Sequence, residues 1–301
     1  MRRLMTSAAA LLLPLMSWAQ IVTDWNQDSS VITSWEEKTA GKTEEDDTGF
    51  EEILDDFKAS NPESLTEETF TQIEGLPEIS TRRVSMMGRE IDLPSMILPD
   101  GTDIYLLLEE GIQIYLSLNP PAFYEDLDPD TIRWIRFYAH TKKAYTKRLF
   151  KKYEGWQEYV EDCMRERKIP SEIGLLCMIE SGCRADAVSR VGAVGMWQFM
   201  PDAAMEMGLK ISPAEDERTD PYKATKAAAK YLAAAFRQTG SWTMAAASYN
   251  CGTGRTQNII KKNKTTEWSK IRNSFPSETR QYVPSLIALY YVWTYRKELG
   301  F

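Results

Sequence analysis

The spacing of proline and glycine in the second half of the chain most limits the folds it can adopt. Beyond about residue 130, apolar residues recur every three to four positions, and proline or glycine breaks the pattern at short intervals. Residues 170–182 run from Pro-Ser to Gly, and residues 201–208 run from Pro to Gly. Asp220 and Pro221 supply a helix-capping residue and a proline suited to the first helical position. The pattern predicts a mainly α fold with short connections.

Residues 1–19 have the three parts of a secretory signal peptide. Two arginines precede a mostly apolar run over residues 4–16, and the small residues around Ala19 suit cleavage. The run is shorter than the roughly 20 residues of a membrane-spanning helix, so export is favoured over the alternative of a membrane anchor. The first cysteine is Cys163, so the attachment site of a lipoprotein is missing near the cleavage point. We expect an exported protein of the periplasm or cell envelope.

Composition divides the rest of the chain into three parts. Residues 20–75 are acidic and contain few bulky side chains, which is typical of a flexible, partly disordered spacer. Residues 76–129 contain several prolines and two β-like runs, 104–108 and 112–118, and no role for them is evident. Residues 130–295 carry the helical pattern, and we expect leading helices followed by the functional domain there.

The charge of the chain argues against nucleic-acid binding. The 44 Asp and Glu residues outnumber the 36 Lys and Arg residues, whereas nucleic-acid binding requires a basic surface. His140 is the only histidine, which excludes a histidine-rich metal site and argues against a His-activated nucleophile. No cofactor motif occurs. One basic cluster has the spacing of a solvated helix face, with a partner site as the alternative: Lys142, Lys143, Lys147, Arg148, Lys151 and Lys152.

A carboxylate falls on an apolar helix face in the segment that begins near Ser171. The positions that share this face are Ile173, Leu176, Cys177 and Glu180. A charge on a buried face is costly unless it is paired or protonated. Glu180 is therefore either one half of a structural ion pair, with Arg184 or Arg190, or a functional acid.

The residues around Glu180 resemble a known enzyme family. The matching stretches are Glu180–Gly182, Ala187–Ser189, Gly195–Pro201, Asp216–Pro221, Ala247–Gly252 and Glu278–Pro284. In this order and spacing they are similar to the lytic transglycosylases of the goose-type lysozyme superfamily, and most of all to the membrane-bound lytic murein transglycosylase D group. The resemblance covers roughly residues 130–290 and implies a helical, lysozyme-like catalytic domain.

The resemblance also implies a substrate and a set of site residues. Glu180 matches the catalytic acid/base of the family, whose substrate is the glycan strand of peptidoglycan. The positions that match residues lining the sugar cleft are Ser189, Met196, Gln198, Tyr249, Asn250 and Tyr282. Two motifs depart from the usual family pattern. The usual Ala-Tyr-Asn-Ala-Gly is Ser-Tyr-Asn-Cys-Gly here, with changes at Ser248 and Cys251, and Cys183 stands where a phenylalanine is often found. Neither departure removes a reacting group.

The residue types suit cleavage of a glycosidic bond. A carboxylic acid kept neutral by the apolar side chains of Met178, Ile179 and Trp197 can protonate the leaving oxygen. Hydrolases of the usual kind use two carboxylates, whereas these motifs offer one strong candidate, which fits a lyase-like route to 1,6-anhydromuramic ends. The alternatives are a hydrolytic muramidase and a catalytically idle glycan-binding protein. Trp197 and Met196 either pack in the core or offer apolar faces to the sugars.

Four cysteines in an exported chain favour disulfides. We expect Cys163 to pair with Cys177 across a helical hairpin, and Cys183 with Cys251, which the resemblance places in the same cleft. Cys177 and Cys183 would lie about 9 Å apart along a continuous helix, beyond the roughly 7 Å that a disulfide spans. Four reduced, buried cysteines are the alternative.

Overall fold

The computed structural model describes residues 50–59, 78–86 and 89–301, so the predicted signal peptide and most of the predicted spacer lie outside the described residues. The helices are α1 (Phe50–Ala59), α2 (Glu109–Leu118), α3 (Pro129–Arg136), α4 (Lys143–Glu154), α5 (Gln157–Glu166), α6 (Leu176–Ser181), α7 (Pro201–Met207), α8 (Pro221–Thr239), α9 (Trp242–Cys251), α10 (Thr253–Asn263), α11 (Trp268–Ile271) and α12 (Ser277–Thr294). The strands are β1 (Ser80–Met86), β2 (Arg89–Ser95), β3 (Ile211–Ser212) and β4 (Glu215–Asp216). The prediction of a mainly α fold is confirmed. Within the described ranges, no helix is both long enough and apolar enough to cross a bilayer.

Helix α1 corrects the prediction that residues 20–75 form a spacer throughout. Phe50, Leu54 and Phe57 recur at helical spacing, and each is only 4% exposed, while Asp55 and Asp56 face solvent. The acidic residues therefore occupy one face of an amphipathic helix whose other face joins the core. An average over the whole window hides this periodicity.

Residues 78–118 form a hairpin and two helical segments. Strands β1 and β2 pair antiparallel, with Ser80 opposite Ser95 and Met86 opposite Arg89. The prediction of β-like structure for residues 104–108 and 112–118 is wrong. Ile104–Leu107 is a 3-10 helix with all four side chains buried, and residues 112–118 lie in α2. Short apolar runs do not distinguish a buried strand from a buried helix by periodicity, and here tertiary burial decided for the helix.

A buried aspartate ties the hairpin to the rest of the molecule. Asp103 is 1% exposed and accepts hydrogen bonds from the Ser95 hydroxyl (2.7 Å) and the Met96 amide (2.8 Å). Its carboxylate lies 3.5 Å from the Arg82 guanidinium, and its amide donates to the Glu298 carbonyl at 2.7 Å. The hairpin and the C-terminal residues are thus joined at one point in the core.

Local signals set the helix boundaries around the site, as predicted. Gly182 and Gly208 end α6 and α7 with φ values of +62° and +98°, a left-handed conformation that glycine adopts without strain. The Asp220 carboxylate caps α8 by accepting from the Tyr222 and Lys223 amides. The many buried alanines of α8 leave room for α9, which packs along it.

Candidate active site

Glu180 lies near the end of a short helix, as the predicted stop at Gly182 implies, but the α-helix begins at Leu176 rather than near Ser171. A 3-10 turn, Ser171–Leu175, leads into α6, and Gly182 ends it two residues after Glu180. The residues preceding Glu180 in α6 are buried, whereas Glu180 itself is half-buried and reaches solvent. The carboxylate is therefore attached to a rigid base and remains open to a ligand.

The phenol of Tyr282 is bound to this carboxylate. Tyr282 lies in the first turns of α12, and its hydroxyl donates a hydrogen bond to Glu180 Oε1. Burial, and next the charge of Glu180, raise the pKa of Tyr282 well above its ordinary value. The hydroxyl therefore remains a donor throughout the neutral and alkaline range.

A tight loop follows α6 and is held by a buried arginine. Arg218 is 7% exposed, and its guanidinium donates to the carbonyls of Gly192 (2.9 Å) and Phe199 (3.0 Å) while pairing with Asp216 at 2.7 Å. At Gly195, φ is +86°, and an added Cβ would lie 1.8 Å from the Arg218 carbonyl oxygen. These contacts fix the course of the loop between α6 and α7.

The loop carries Ser189 and Gln198, two of the predicted cleft residues. The Gln198 side chain donates to the Gly195 carbonyl at 2.8 Å, and its backbone adopts a φ of +47°. Ser189 is buried, and its hydroxyl oxygen accepts from the Ala193 amide at 2.9 Å. Gln198 is partly accessible to a ligand, while Ser189 mainly stabilises the loop.

Met196 and Trp197 belong to the core, since both side chains are 0% exposed. The Trp197 indole donates to the Thr225 hydroxyl at 2.8 Å, and the Met196 carbonyl accepts from the Ser181 hydroxyl at 2.8 Å. Direct contact of the Met196 side chain with a sugar, expected from the resemblance, does not fit this burial. The two residues instead join the loop to α6 and α8.

Helix α9 brings Tyr249 and Asn250 to the same region. The Tyr249 hydroxyl donates to the Trp197 carbonyl at 2.9 Å, and Asn250 Nδ2 donates to Glu278 Oε1 at 2.5 Å. Thr279 in turn donates to Asn250 Oδ1 at 2.6 Å. The Asn250 amide is therefore held in one orientation between two residues of α12.

Two residues in this region were not predicted as site residues, although both stand in the quoted motifs. Glu278 is a second carboxylate close to Tyr282, whose pKa its charge also raises. Arg218 organises the loop through the carbonyls of Gly192 and Phe199. Their residue types were visible in the sequence, but the partners that give them a role come from α9 and from the loop.

Neither of the two predicted disulfides is present among the cysteines. All four, Cys163, Cys177, Cys183 and Cys251, are free and buried. The sulfur atoms of Cys177 and Cys183 lie 3.6 Å apart, because the left-handed turn at Gly182 brings the Cys183 amide to the Cys177 carbonyl at 3.1 Å. The estimate of about 9 Å assumed a continuous helix. Burial raises the pKa of the Cys177 thiol well above its ordinary value, as for a small apolar side chain in the core.

Comparison with known families matches this region. Residues 161–272 match the family model of the transglycosylase SLT domain. This part of the chain is therefore similar to SLT domains. It contains Glu180, the loop held by Arg218, and α8 and α9, whereas Tyr282 lies ten residues beyond its end.

Two of the relatives are curated bacterial proteins. The chain is 29% identical over 213 residues to the membrane-bound lytic murein transglycosylase D of Escherichia coli strain K12, and equally to that of strain CFT073. The match covers 69% of this chain and 44% of each relative, so the chain spans less than half the length of these relatives. An X-ray structure of an inactive variant of the lytic transglycosylase Slt from Pseudomonas aeruginosa is 22% identical, with a TM-score of 0.40, and covers 56% of this chain and 30% of that one.

Proposed function

We propose that the chain is a peptidoglycan lytic transglycosylase with Glu180 as its acid/base. The observation that carries the proposal is the position of Glu180 within an SLT domain. This carboxyl group is half-buried on a short rigid helix, and one oxygen is held by the Tyr282 hydroxyl. The names of the curated relatives, which are murein transglycosylases, support the same substrate class.

The reaction needs one proton to be donated and one to be removed. Protonated Glu180 gives its proton to the oxygen between N-acetylmuramic acid and N-acetylglucosamine, and the bond from that oxygen to C1 of the muramic acid breaks. The substrate's own N-acetyl group stabilises the cationic C1. The Glu180 carboxylate then takes the proton of the C6 hydroxyl, and the C6 oxygen bonds to C1 to close the 1,6-anhydro ring. Water is not consumed, and Glu180 is again protonated.

The remaining residues have binding and orienting roles in this proposal. Tyr282 fixes one carboxylate oxygen, so that the other is directed to the bond that breaks. Gln198 and Asn250 present amide groups, and Tyr249 a phenolic oxygen, to the acetamido and carboxylate groups of the glycan. Each of these three side chains is partly exposed and already held by a hydrogen bond within the protein. A site with such preset orientations binds without ordering its side chains anew.

We further propose that the protein acts in the cell envelope, after export directed by residues 1–19. Peptidoglycan lies outside the cytoplasmic membrane, and these residues have the parts of a signal peptide. Expression in the native host followed by N-terminal sequencing of the envelope fraction tests this, since mature protein is expected to begin at Gln20.

Product analysis distinguishes the proposed reaction from hydrolysis. Purified peptidoglycan is digested in water enriched in ¹⁸O, and the fragments are identified by mass spectrometry. We expect 1,6-anhydromuramic ends without ¹⁸O. Reducing muramic ends that contain ¹⁸O would support the muramidase alternative, in which Glu278 would supply a second carboxylate. Intact strands after exposure to folded protein would support a glycan-binding protein without activity.

A further inference from the structure

Helix α1 lies beside the Glu180–Tyr282 pair although it is remote from both in sequence. It packs against α6, which carries Glu180, and against α12, which carries Tyr282. It lies outside the SLT domain, which begins at residue 161, and belongs to none of the motif stretches. A helix that packs against both elements that carry the partners of one hydrogen bond is placed to control the geometry of that bond.

The contact with Tyr282 is made by the first residue of α1. The rings of Phe50 and Tyr282 meet edge to face, with their centroids 5.1 Å apart and their planes at 81°. Both side chains are buried, Phe50 at 4% exposure and Tyr282 at 0%. An edge-to-face aromatic pair favours one relative orientation of the two rings. Phe50 therefore limits how far the Tyr282 ring can tilt.

Trp134 provides a second connection between α1 and α12. Phe57 stacks on the Trp134 indole with centroids 3.9 Å apart and planes at 7°, and Phe50 lies 5.9 Å from the same ring. The Trp134 indole also donates to Gln281 Oε1 at 3.0 Å. The aromatic cluster of Phe50, Phe57 and Trp134 therefore contacts two consecutive residues of α12, Gln281 and Tyr282. Outside the cluster, Lys142 pairs with Asp56 of α1 at 3.0 Å. These contacts fix the position of α1 relative to α12.

We propose that Phe50 is a positioning residue for the acid/base, acting through Tyr282. The Phe50 ring holds the Tyr282 ring at the angle where its hydroxyl donates to Glu180 Oε1. This inference rests on the proposed role of Glu180. Removing the Phe50 ring leaves a cavity beside Tyr282, into which the phenol tilts, and the hydrogen bond weakens because its strength falls steeply with angle. Helix α1 thus belongs to the structure that positions the acid/base.

The pH profile of activity separates positioning from mere support of the fold. A hydroxyl that donates to a carboxylate favours the ionised form, so Tyr282→Phe moves the alkaline decline of activity to higher pH. The other ionisable groups around the Tyr282 hydroxyl are Tyr249 and Glu278. The pKa of Tyr249, like that of Tyr282, is raised well above its ordinary value by burial, so neither phenol ionises within the range of the assay.

The experiment measures kcat, KM and the alkaline decline for full-length variants acting on peptidoglycan. We expect Phe50→Ala to lower kcat about tenfold, since small misplacements of catalytic groups cost up to about 10²-fold. KM should stay within about twofold, and the alkaline decline should move in the same direction as in Tyr282→Phe. Phe50→Leu, which keeps an apolar neighbour, should recover part of the loss. Leu54→Ala is the matched control, since Leu54 is on the same helix and equally buried at 4%.

A double variant provides the decisive measurement. If Phe50 acts through Tyr282, adding Phe50→Ala to Tyr282→Phe changes kcat and the alkaline decline no further. Equal losses in Phe50→Ala and Leu54→Ala, with an unchanged pH profile in both, would overturn the inference and leave α1 as a stabilising helix only. Additive effects in the double variant would overturn it as well. Failure of the proposed function is distinguishable, because wild-type protein would then yield no anhydromuramic products.

Discussion

At the scale of single residues, Glu180 carries the strongest prediction. Glu180→Gln keeps the size of the side chain and can still accept from Tyr282, but the amide cannot transfer a proton. We expect turnover to fall by roughly 10²–10⁴-fold, the usual contribution of a general acid or base, with unchanged thermal unfolding. The exposed Glu158, on α5, provides the control Glu158→Gln. Activity above about a tenth of wild type in Glu180→Gln would reject the assignment.

The pH dependence expected of the proposed activity follows from the same pair. In the proposed reaction Glu180 must be protonated to cleave the bond, so we expect kcat/KM to decline at alkaline pH as the carboxyl group loses its proton. Tyr282 is not the cause, because burial raises the pKa of this phenol well above its ordinary value and it stays protonated. The decline should therefore persist in Tyr282→Phe. Circular dichroism at each pH checks that the protein remains folded, and a flat profile would contradict the prediction.

Two glycines in the loop held by Arg218 form a matched pair for a stability test. Gly192 and Gly195 have nearly equal φ values, +88° and +86°, but a Cβ at Gly192 meets open space. Gly192→Ala should therefore lower the free energy of unfolding by about 1–2 kcal/mol through backbone strain alone. At Gly195 the added methyl would collide with the Arg218 carbonyl, so Gly195→Ala should cost about 1–3 kcal/mol more. Chemical denaturation measures the free energy of unfolding of both variants. Equal losses would show that the loop can shift to accommodate the added methyl group at position 195.

At the scale of secondary structure, local signals were predictable and long-range partners were not. The last residues of α6 and α7 and the start of α8 depend on residues within one turn, such as Gly182 and Asp220, and these boundaries were predicted correctly. The start of α6 was not, because the residues from Ser171 to Leu175 form a 3-10 helix and α6 begins at Leu176. Helix α1 was missed because its four apolar positions were averaged with an acidic window. Residues 104–118 were misread because a short apolar run fits a strand and a helix equally well until its neighbours are known.

The candidate site shows the same division between local and long-range information. Glu180 stood out because an acid on an apolar helix face requires an explanation, and the family motifs supplied one. The donor to its carboxylate is 102 residues away, at Tyr282, and the resemblance identified the residue without identifying the bond. Arg218 and Glu278 were overlooked because their roles depend on carbonyls and amides that only the tertiary fold brings near.

At the scale of the whole molecule, the stretch that matches the SLT domain is smaller than the unit that we expect to function. Residues 161–272 exclude α3, with the buried Trp134, and α12, with Tyr282. We expect a fragment of residues 161–272 to be largely unfolded by circular dichroism and inactive, because it exposes the core face that α12 covers. A fragment of residues 50–301 should fold cooperatively and degrade peptidoglycan. Activity in the shorter fragment would show that the Tyr282 contact is dispensable.

The left-handed turn after Glu180 also has a consequence for how this sequence can change over time. It places residue 183 directly over residue 177, so the two side chains share one small volume in the core. Relatives that carry phenylalanine at position 183 must make room at position 177 or in its surroundings. Among descendants of one ancestral gene, substitutions at these two positions should therefore occur together, with the summed side-chain volume roughly constant, while Gly182 between them stays unchanged.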